Sequence, residues 1–291
     1  MMGVQTPGSQ GVPSEYFSTA RRFMRLFVGP LSVAGQWVMF VAQTIYFLPL
    51  TLRKYRRETL DRMINLAWGR GSLLVDGGVI SVLVILGMAI GGMVAIEAWA
   101  VLNVVGFGAL SGIIAGIGDV REMAPLCAGI AFAAQCGCRM TAEIGSMRIS
   151  DEIDAVEAMG LRPIPFVVGT RFIGGLACVI PGYVLTLLTS FFVSNVMILG
   201  IYHASGGTYQ HYFVQFMSPS DIFYSTVKAA VFCAAVIVIH CYYGYFASGG
   251  PVGVGQASGH AVRASLVAVM TLDFLLTVML WGLKPTFVFK G

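Results

Sequence analysis

Long apolar stretches without a charged residue alternate along this chain with short segments that carry most of its charges. The charge-free stretches run from Gly77 to Ile96, Ala98 to Gly118, Met123 to Cys138, Phe172 to Ser220, Ala229 to Val262 and Phe274 to Leu283. A backbone in hydrocarbon must satisfy its own hydrogen bonds, and a helix of about 20 apolar residues does so across one bilayer. The pattern therefore predicts an all-α polytopic membrane protein with about five transmembrane helices.

The first seventy residues differ from this pattern, because they contain nine Lys or Arg. Basic clusters (Arg21, Arg22, Arg25; Arg53, Lys54, Arg56, Arg57) flank the mixed segment Leu31 to Leu52, which is interrupted by Pro30 and Pro49. We predict interfacial amphipathic helices over residues 1–70, on the cytoplasmic leaflet, and a transmembrane domain over 71–291. The alternative is that Leu31 to Leu52 spans the membrane by itself, which would place one basic cluster outside.

The orientation follows from the positive-inside rule. A second basic region (Arg139, Arg148, Arg162, Arg171) should also be cytoplasmic, so an even number of crossings precedes it. We expect Leu73 to Ile96 to run outward, residues 106–118 to bend at the outer face, and residues 123–142 to return. The segment from Gly200 to Asp221 has no Lys or Arg and is predicted to be an external loop. We expect the chain to cross back to the cytoplasmic side over Lys228 to Ala247 and to turn there at Gly249-Gly250-Pro251. It then crosses outward over Arg263 to Leu283.

This topology predicts a multi-pass protein of the inner (plasma) membrane, with a cytoplasmic N-terminus that lacks a signal-peptide pattern and an external C-terminus. The composition agrees, since 57% of the residues are apolar and only 11% are charged. The net charge of +4 reflects the basic clusters, so nucleic acid is not an expected partner. The six cysteines lie in apolar segments, and the spacing of Cys136 and Cys138 is neither that of a zinc site nor that of a redox motif. The four histidines share no ligand spacing either, so no metal site is predicted.

A cytoplasmic amphipathic helix is predicted between two membrane segments, at about residues 143–160. At 100° per residue Ile149, Ile153, Val156 and Met159 share one face, and Asp151, Asp154 and Glu157 share the opposite face. Ser150 is the expected N-cap, and Gly160 followed by Pro163 is a stop signal. Five of the chain's fourteen acidic residues crowd into residues 143–157. This favours a docking helix over a solvated loop helix without a partner.

Four ionisable residues fall at membrane depth and are candidate functional residues: Arg121, Glu122, Lys228 and Asp273. A charge in hydrocarbon costs roughly 2.5 to 3.5 kcal/mol on insertion scales. Lys228 and Asp273 lie at similar depth on consecutive helices and are expected to meet. The alternative is an ion pair that only neutralises itself.

No nucleotide-binding P-loop occurs, so energy from ATP would have to come from another polypeptide. The glycine-rich segment from Gly253 to Gly259 follows a membrane helix and is interpreted as a cytoplasmic turn. No catalytic residue is predicted, because no nucleophile and base show a usable spacing. A membrane-embedded lipid-modifying enzyme that uses Glu122, Asp273 or a histidine as base, and an ion-coupled carrier, stay open as alternatives.

Several separated motifs resemble one family. Three runs of this chain resemble motifs of the MlaE/YrbE permeases. They are Arg121-Glu122-Met123-Ala124-Pro125, then Ala142-Glu143-Ile144-Gly145-Ser146-Met147-Arg148, and then Glu152-x-Asp154-Ala155-x-Glu157-x-Met159-Gly160. A later pair of runs is similar to the B-type YrbE subunit of actinobacterial Mce (mammalian cell entry) systems: His240-Cys241-Tyr242-Tyr243-Gly244-Tyr245 and Gly249-Gly250-Pro251-Val252-Gly253-Val254-Gly255. The resemblance covers about residues 50–285. Gln135 stands where many relatives have an arginine, so no role of that arginine is carried over.

The resemblance implies an ABC-type lipid transporter for fatty or mycolic acids or sterols, with a fatty-acid-like lipid favoured. Its implied partners are a homologous A-type YrbE permease, a cytoplasmic ABC ATPase dimer that holds ATP and Mg, and an external Mce protein hexamer. No cofactor is expected in this chain. The resemblance places the four intramembrane charges around the lipid cavity. It implies that the acidic segment couples to the ATPase, with the candidates Glu143, Met147, Arg148, Asp151, Glu152, Asp154 and Glu157.

Overall fold

A computed structural model describes residues 14–69 and 78–282, with side chains from residue 32 onward except at position 109. Within these ranges the chain forms helices and turns and no β-strand, which confirms the predicted all-α fold. The helices are α1 Ser14–Lys54, α2 Arg56–Trp68, α3 Val79–Asn103, α4 Ser111–Ile114, α5 Ala124–Phe132, α6 Cys138–Ile149, α7 Glu152–Ala158, α8 Thr170–Val196, α9 Gly206–Phe216, α10 Pro219–Tyr245 and α11 Gly250–Trp281.

The chain divides into two compact units, Met1–Ile45 and Tyr46–Gly291. The first unit is described from Ser14 and consists there of the greater part of α1. The side chains of Arg21, Arg22 and Arg25 lie outside the described set, as do both chain ends and residues 70–77. The predicted start of the first crossing at Leu73 and the external C-terminus therefore stay predictions.

Five helices in the described ranges are long and apolar enough to cross a membrane: Ser32–Lys54, Val79–Asn103, Ile164–Ile201, Pro219–Tyr245 and Gly250–Trp281. The first of these corresponds to Leu31–Leu52, so its length and composition suit the spanning alternative as well as the interfacial one. The predicted return crossing at 123–142 is not among the five. The placement of residues 1–70 relative to the bilayer stays a prediction.

Residues 111–149 nevertheless form one uninterrupted helical run. It joins α4, α5 and α6 through two π-helical segments, Ala115–Met123 and Ala133–Gly137. The predicted bend before this run is present but narrower than expected, because the turn occupies residues 104–110 and the chain is helical again from Ser111. The polar residues Asp119, Arg121, Glu122, Gln135 and Arg139 lower the hydropathy of the run.

Helix α10 lies at the centre of the second unit, since it packs against α5, α6, α8 and α11. Helix α3 packs most closely on α8. A Cβ atom built on Gly87 would lie 2.4 Å from the carbonyl oxygen of Thr186, and one on Gly91 would lie 2.2 Å from that of Ser190. These two glycines let the backbones approach, as small residues at four-residue spacing do in membrane helix pairs.

The prediction that Gly200 to Asp221 forms a loop is wrong in its secondary structure, because Gly206–Phe216 forms the helix α9. The buried Tyr209 anchors this helix: its hydroxyl lies 3.1 Å from Ser194 Oγ, and its ring stacks on Phe213 at 6.0 Å. The carbonyl oxygen of Tyr209 lies against Gly112, where a Cβ would approach to 2.5 Å. Aromatic side chains of the predicted external loop thus pack this helix against the bundle.

The predicted turn at Gly249-Gly250-Pro251 is confirmed, with both glycines at positive φ (90° and 70°). The prediction of a turn over Gly253–Gly259 is wrong, because α11 already begins at Gly250. Pro251 stands in its first turn, where its missing N–H costs nothing. The side chain of Val254 is 9% exposed and packs where Gly145 leaves room, since a Cβ there would meet it at 2.8 Å.

The predicted topology can be tested with single cysteines at Ser150 and Gly207 in a variant that lacks the six native cysteines. Ser150 is exposed, and a Cβ at Gly207 meets no atom within 4 Å, so both new thiols should be reactive. An impermeant maleimide added to intact cells should label residue 207 and should label residue 150 only after permeabilisation. Labelling of residue 150 in intact cells would overturn the predicted orientation.

Candidate functional site

A cluster of charged residues lies inside the helical bundle around the side chain of Lys228. Lys228 is fully buried, and its Nζ lies 2.9 Å from Glu122 Oε2 and 2.8 Å from Asp273 Oδ1. The predicted meeting of Lys228 and Asp273 is therefore confirmed. The pair is however part of a triad, because Glu122 contacts the same ammonium.

The three N–H groups of this ammonium have three better aligned acceptors than Asp273. Lys228 Nζ donates to the carbonyl oxygen of Arg121 (2.9 Å), to Glu122 Oε2 (2.9 Å) and to Thr277 Oγ1 (2.7 Å). An ammonium has three donors. Asp273 Oδ1 is accordingly a close charge contact without a hydrogen-bond partner among the described residues. Asp273 balances charge, while Glu122 and Thr277 fix the position of the lysine.

The members of the triad differ in their accessibility. The side chain of Lys228 is 0% exposed, that of Asp273 is 19% exposed and that of Glu122 is 41% exposed. Thr277 Oγ1 donates to Glu122 Oε1 at 2.9 Å, so Glu122 is held from two sides while its side chain stays partly exposed. A ligand approaching this cluster would meet Glu122 first and would not reach Lys228 in this conformation.

A second ion pair adjoins the triad. Arg121 Nη2 lies 3.0 Å from Asp221 Oδ2, and Trp281 Nε1 donates to Asp221 Oδ1 at 2.6 Å. The guanidinium of Arg121 also lies over the Trp281 ring, 5.4 Å from its centroid, and such contacts add to the attraction. Asp221 lies near the start of α10 and Trp281 lies at the end of α11. The two side chains contact each other, and Arg121 contacts both.

Arg121 and Glu122 are neighbours in sequence but have different partners, since Arg121 binds Asp221 and Glu122 binds Lys228. Adjacent helical residues point about 100° apart, so two neighbours in sequence reach different partners. Asp221, Thr277 and Trp281 were missed by the sequence analysis. Asp221 looked like the end of a loop, and no spacing rule connects it with Arg121, one hundred positions earlier.

Asp119 was also missed, although it is buried at 1% exposure. Ser190 Oγ on α8 donates to Asp119 Oδ2, and Asp119 Oδ1 has no partner in the part of the chain that the structure describes. The π-helical segment Ala115–Met123 carries Asp119, Arg121 and Glu122 together. Segments of this kind are frequent at functional sites, because they turn side chains away from the ordinary helical faces. One π-helical segment thus supplies three of the charged side chains.

The predicted docking segment is a helix, turn and helix. Glu143, Met147 and Arg148 lie on α6, while Asp151, Glu152, Asp154 and Glu157 lie at the start of α7 or within it. Ile153 and Val156 are buried. The four acidic residues at 151, 152, 154 and 157 are exposed, so the predicted acidic face is confirmed.

Three details of this segment differ from the prediction. The position before α7 is occupied by Asp151, at a positive φ of 57°, whereas Ser150 ends α6 and its hydroxyl donates to the carbonyl oxygen of Ser146. Met159 is 68% exposed and does not extend the apolar face. The sharp turn between α6 and α7 breaks the single helical periodicity that the sequence suggested. Gly160, at a φ of 75°, ends α7 as predicted.

Glu143 lies in a cluster of three arginines at the end of the bundle that carries α7. Its carboxylate is 2.8 Å from Arg139 Nε, 3.2 Å from Arg171 Nη2 and 3.7 Å from Arg62 Nη1. Burial acts to raise the pKa of Glu143, but the hydrogen bond from Arg139 and the charge of Arg171 outweigh it, so the pKa lies below its ordinary value. Glu143 is therefore ionised at neutral pH.

The histidines and cysteines do not form a site within the described ranges, where no group of three metal-ligating side chains occurs. His240 is buried between Thr141 (Nδ1 to Oγ1, 2.8 Å) and Ser265 (Nε2 to Oγ, 3.3 Å), so its ring packs inside the bundle. His260 stacks on Tyr243. All six cysteines are free thiols.

Comparison with known proteins places these features in a family. The model of the family described as Permease MlaE matches residues 71–279. The chain is 30% identical over 163 residues to a probable ABC transporter permease protein of Rickettsia bellii, covering 54% of this chain and 61% of the relative. It is 27% identical over 208 residues to the intermembrane phospholipid transport system permease protein MlaE of Haemophilus influenzae, covering 70% of this chain and 80% of the relative.

A plant relative also matches. The protein TRIGALACTOSYLDIACYLGLYCEROL 1, chloroplastic, of Arabidopsis thaliana is 30% identical over 158 residues, which cover 54% of this chain and 45% of that protein. The chain thus spans less than two thirds of the length of several curated relatives that it matches.

Proposed function

Because this chain belongs to the MlaE permease family, we propose that it is the membrane-spanning permease subunit of an ATP-driven lipid transporter. One observation carries the proposal: the fully buried ammonium of Lys228, on a helix of bilayer length, is held by two carboxylates, and the Glu122 side chain that carries one of them is 41% exposed. Charges at membrane depth are retained where they line a path or a cavity. Apolar helices with a few charged groups suit an amphiphile, whose chains need apolar walls and whose headgroup needs polar partners.

The proposed substrate class is a lipid with an acidic headgroup. A fatty or mycolic acid is favoured over a sterol, because the motifs from His240 to Gly255 resemble those of Mce-associated permeases and because Arg121 and Lys228 are cationic. The name of the relative from Haemophilus influenzae refers to phospholipid, which is also an anionic amphiphile. In our proposal Glu122 covers Lys228 in this conformation, and movement of α10 or α11 would separate the two side chains so that the anionic headgroup takes the place of Glu122 at the ammonium.

The proposed assembly pairs this chain with a homologous A-type permease, a cytoplasmic ABC ATPase dimer and an external Mce hexamer. The exposed acidic face of α7 supports the ATPase contact, because such a face at the end of a membrane helix pair has no role in the bilayer. ATP-driven closure of the ATPases would move α7 and, through α6, the helices that carry the charged triad. Stable association with an ATPase would separate this proposal from a lipid-modifying enzyme and from an ion-coupled carrier.

Reversal of charge at Asp151, Asp154 and Glu157 to Lys should reduce co-purification of the ATPase at least tenfold, because three exposed attractive charges become repulsive. Insertion into the membrane should be unchanged, since none of the three side chains is buried. Asp61→Lys, at an exposed acid on α2, is the control and should retain the ATPase. Full co-purification with the triple variant would refute the docking assignment.

A further inference from the structure

The arginine cluster around Glu143 forms a second polar site, well separated from the Lys228 triad. Thr141 and Ile144, which flank Glu143, pack against Gly244 of α10, where a Cβ would meet both at 3.0 to 3.2 Å. Gly244 lies sixteen residues beyond Lys228, which corresponds to about 24 Å along a helix. The second cluster therefore lies at the end of α10, about 24 Å along this helix from the Lys228 triad.

Positive charge is in excess at this second site. Arg62, Arg139 and Arg171 converge on the single carboxylate of Glu143, and among the described residues only Arg62 has a further acidic partner, Glu58 at 2.9 Å. The three arginines together with Glu143 and Glu58 thus carry a net charge of +1. The three arginines and Glu143 alone carry a net charge of +2. A local excess of guanidinium groups, of which that of Arg171 is buried, favours an additional anion.

Arg171 is the most enclosed member of the cluster. Its side chain is 3% exposed, one Nη donates to the carbonyl oxygen of Val167 at 2.9 Å, and the other reaches Glu143. Its Nε has no hydrogen-bond partner among the residues described. A buried guanidinium donor without an acceptor costs free energy comparable to a lost charged hydrogen bond, so an acceptor bound there would be stabilising.

Space for such an acceptor adjoins these donors. A cavity of about 130 Å³ is lined by Arg62, Asn65, Leu66, Arg139, Glu143 and Arg171. It is much larger than the roughly 10–15 Å³ that a single water needs. An open cleft of about 540 Å³ shares Arg62, Glu143 and Arg171 with it and extends past Met147 to Glu152, at the start of α7. The arginine side chains thus line a space that a ligand can enter from outside the bundle.

We propose that this cavity binds a phosphate group, and that its source is the headgroup of an anionic phospholipid in the adjacent leaflet. Planar guanidinium groups match phosphate oxygens with two parallel hydrogen bonds, and three of them are present. The charge-free stretch Met123 to Cys138 ends directly before Arg139, so the topology predicted from the sequence places the cavity at the level of the lipid headgroups. A bound headgroup would bridge α2 to α6 and α8, the helices that precede and follow α7 in the chain.

The test uses the full-length protein with its co-purifying partners in detergent, titrated with dioctanoyl phosphatidylglycerol, with inorganic phosphate and with dioctanoylglycerol, which has no phosphate. Binding of phosphatidylglycerol with no binding of dioctanoylglycerol is expected. In Arg62→Gln/Arg139→Gln the affinity for phosphatidylglycerol should fall at least tenfold, since two charge-assisted contacts are lost. Arg57→Gln removes an exposed arginine of the same helix α2 and should bind as the parent does.

Glu143→Gln distinguishes a binding site from an internal ion-pair network. Because the Glu143 carboxylate competes with the ligand for the same guanidinium groups, its removal should increase the affinity for phosphatidylglycerol several-fold. Phosphate that displaces the lipid only at millimolar concentration would identify the lipid headgroup as the source. Phosphate that binds as tightly as the lipid would overturn the lipid assignment in favour of a free anion. Equal binding by the parent and Arg62→Gln/Arg139→Gln, or no gain in Glu143→Gln, would overturn the site altogether.

Discussion

Replacement of Lys228 by Ala should abolish lipid transport and strongly impair assembly of the subunit. The change leaves Glu122 and Asp273 as two carboxylates without their common cation. Removal of one partner from a buried ion pair costs roughly 3 to 5 kcal/mol, and the lower end of this range applies here because Glu122 is 41% exposed. Asp273→Ala should be milder, since Lys228 keeps Glu122 and two other acceptors.

A charge-neutral triple variant, Lys228→Met/Glu122→Gln/Asp273→Asn, separates structure from transport. It has a volume similar to that of the parent and leaves no charge in the triad, so assembly should recover. Transport should stay absent if the charges contact the lipid headgroup. Subunit assembly by size-exclusion chromatography and uptake of a fluorescent fatty acid are measured on the same preparations. Recovery of uptake in the triple variant would remove Lys228, Glu122 and Asp273 from the proposed lipid path.

Gly91→Ala should destabilise the protein by about 3 kcal/mol, near the upper end of what overpacking usually costs. The new methyl group would lie 2.2 Å from the carbonyl oxygen of Ser190, where only backbone atoms can give way. Ser190 also holds Asp119, so separation of α3 from α8 should disturb the charged π-helical segment. The result is measured as a lowered thermal unfolding midpoint and reduced yield of the folded subunit.

Gly92→Ala provides a matched control for this prediction. It lies one residue further along α3, and the atom nearest to its new methyl group would be Val193 Cγ1 at an ordinary distance of 3.9 Å. Its unfolding midpoint should equal or exceed that of the parent, because Ala has the higher helix propensity. Equal destabilisation by both variants would show that the close packing of α3 on α8 is not what Gly91 provides.

Charge and hydropathy along the chain were sufficient to predict the helical fold, the acidic face of α7 and the meeting of Lys228 with Asp273. These features depend on local periodicity or on equal depth in the membrane, which the sequence shows directly. The four-residue spacing of Gly87 and Gly91 was also visible and could have identified the contact of α3 with α8.

Other features depend on contacts between distant segments. Asp221 meets Arg121 because α10 begins near the π-helical segment Ala115–Met123, and neither residue carries a local signal of this. The same segment changes the helical phase, so the periodicity of a regular α-helix does not give the faces on which Asp119 and Glu122 lie. The cluster around Glu143 draws its arginines from α2, α6 and α8, which only the packed structure brings together.

The central claim is that this chain moves lipid with energy from a separate ATPase, and a reconstituted system tests it most directly. The chain is purified with its co-purifying partners, placed in liposomes and supplied with fluorescent fatty acid, with and without ATP and Mg. The account predicts that lipid moves across or out of the membrane only when ATP is hydrolysed, and that Lys228→Met/Glu122→Gln/Asp273→Asn assembles without this activity. Lipid movement that is equally fast without ATP, or the absence of any ATPase from the purified complex, would contradict it.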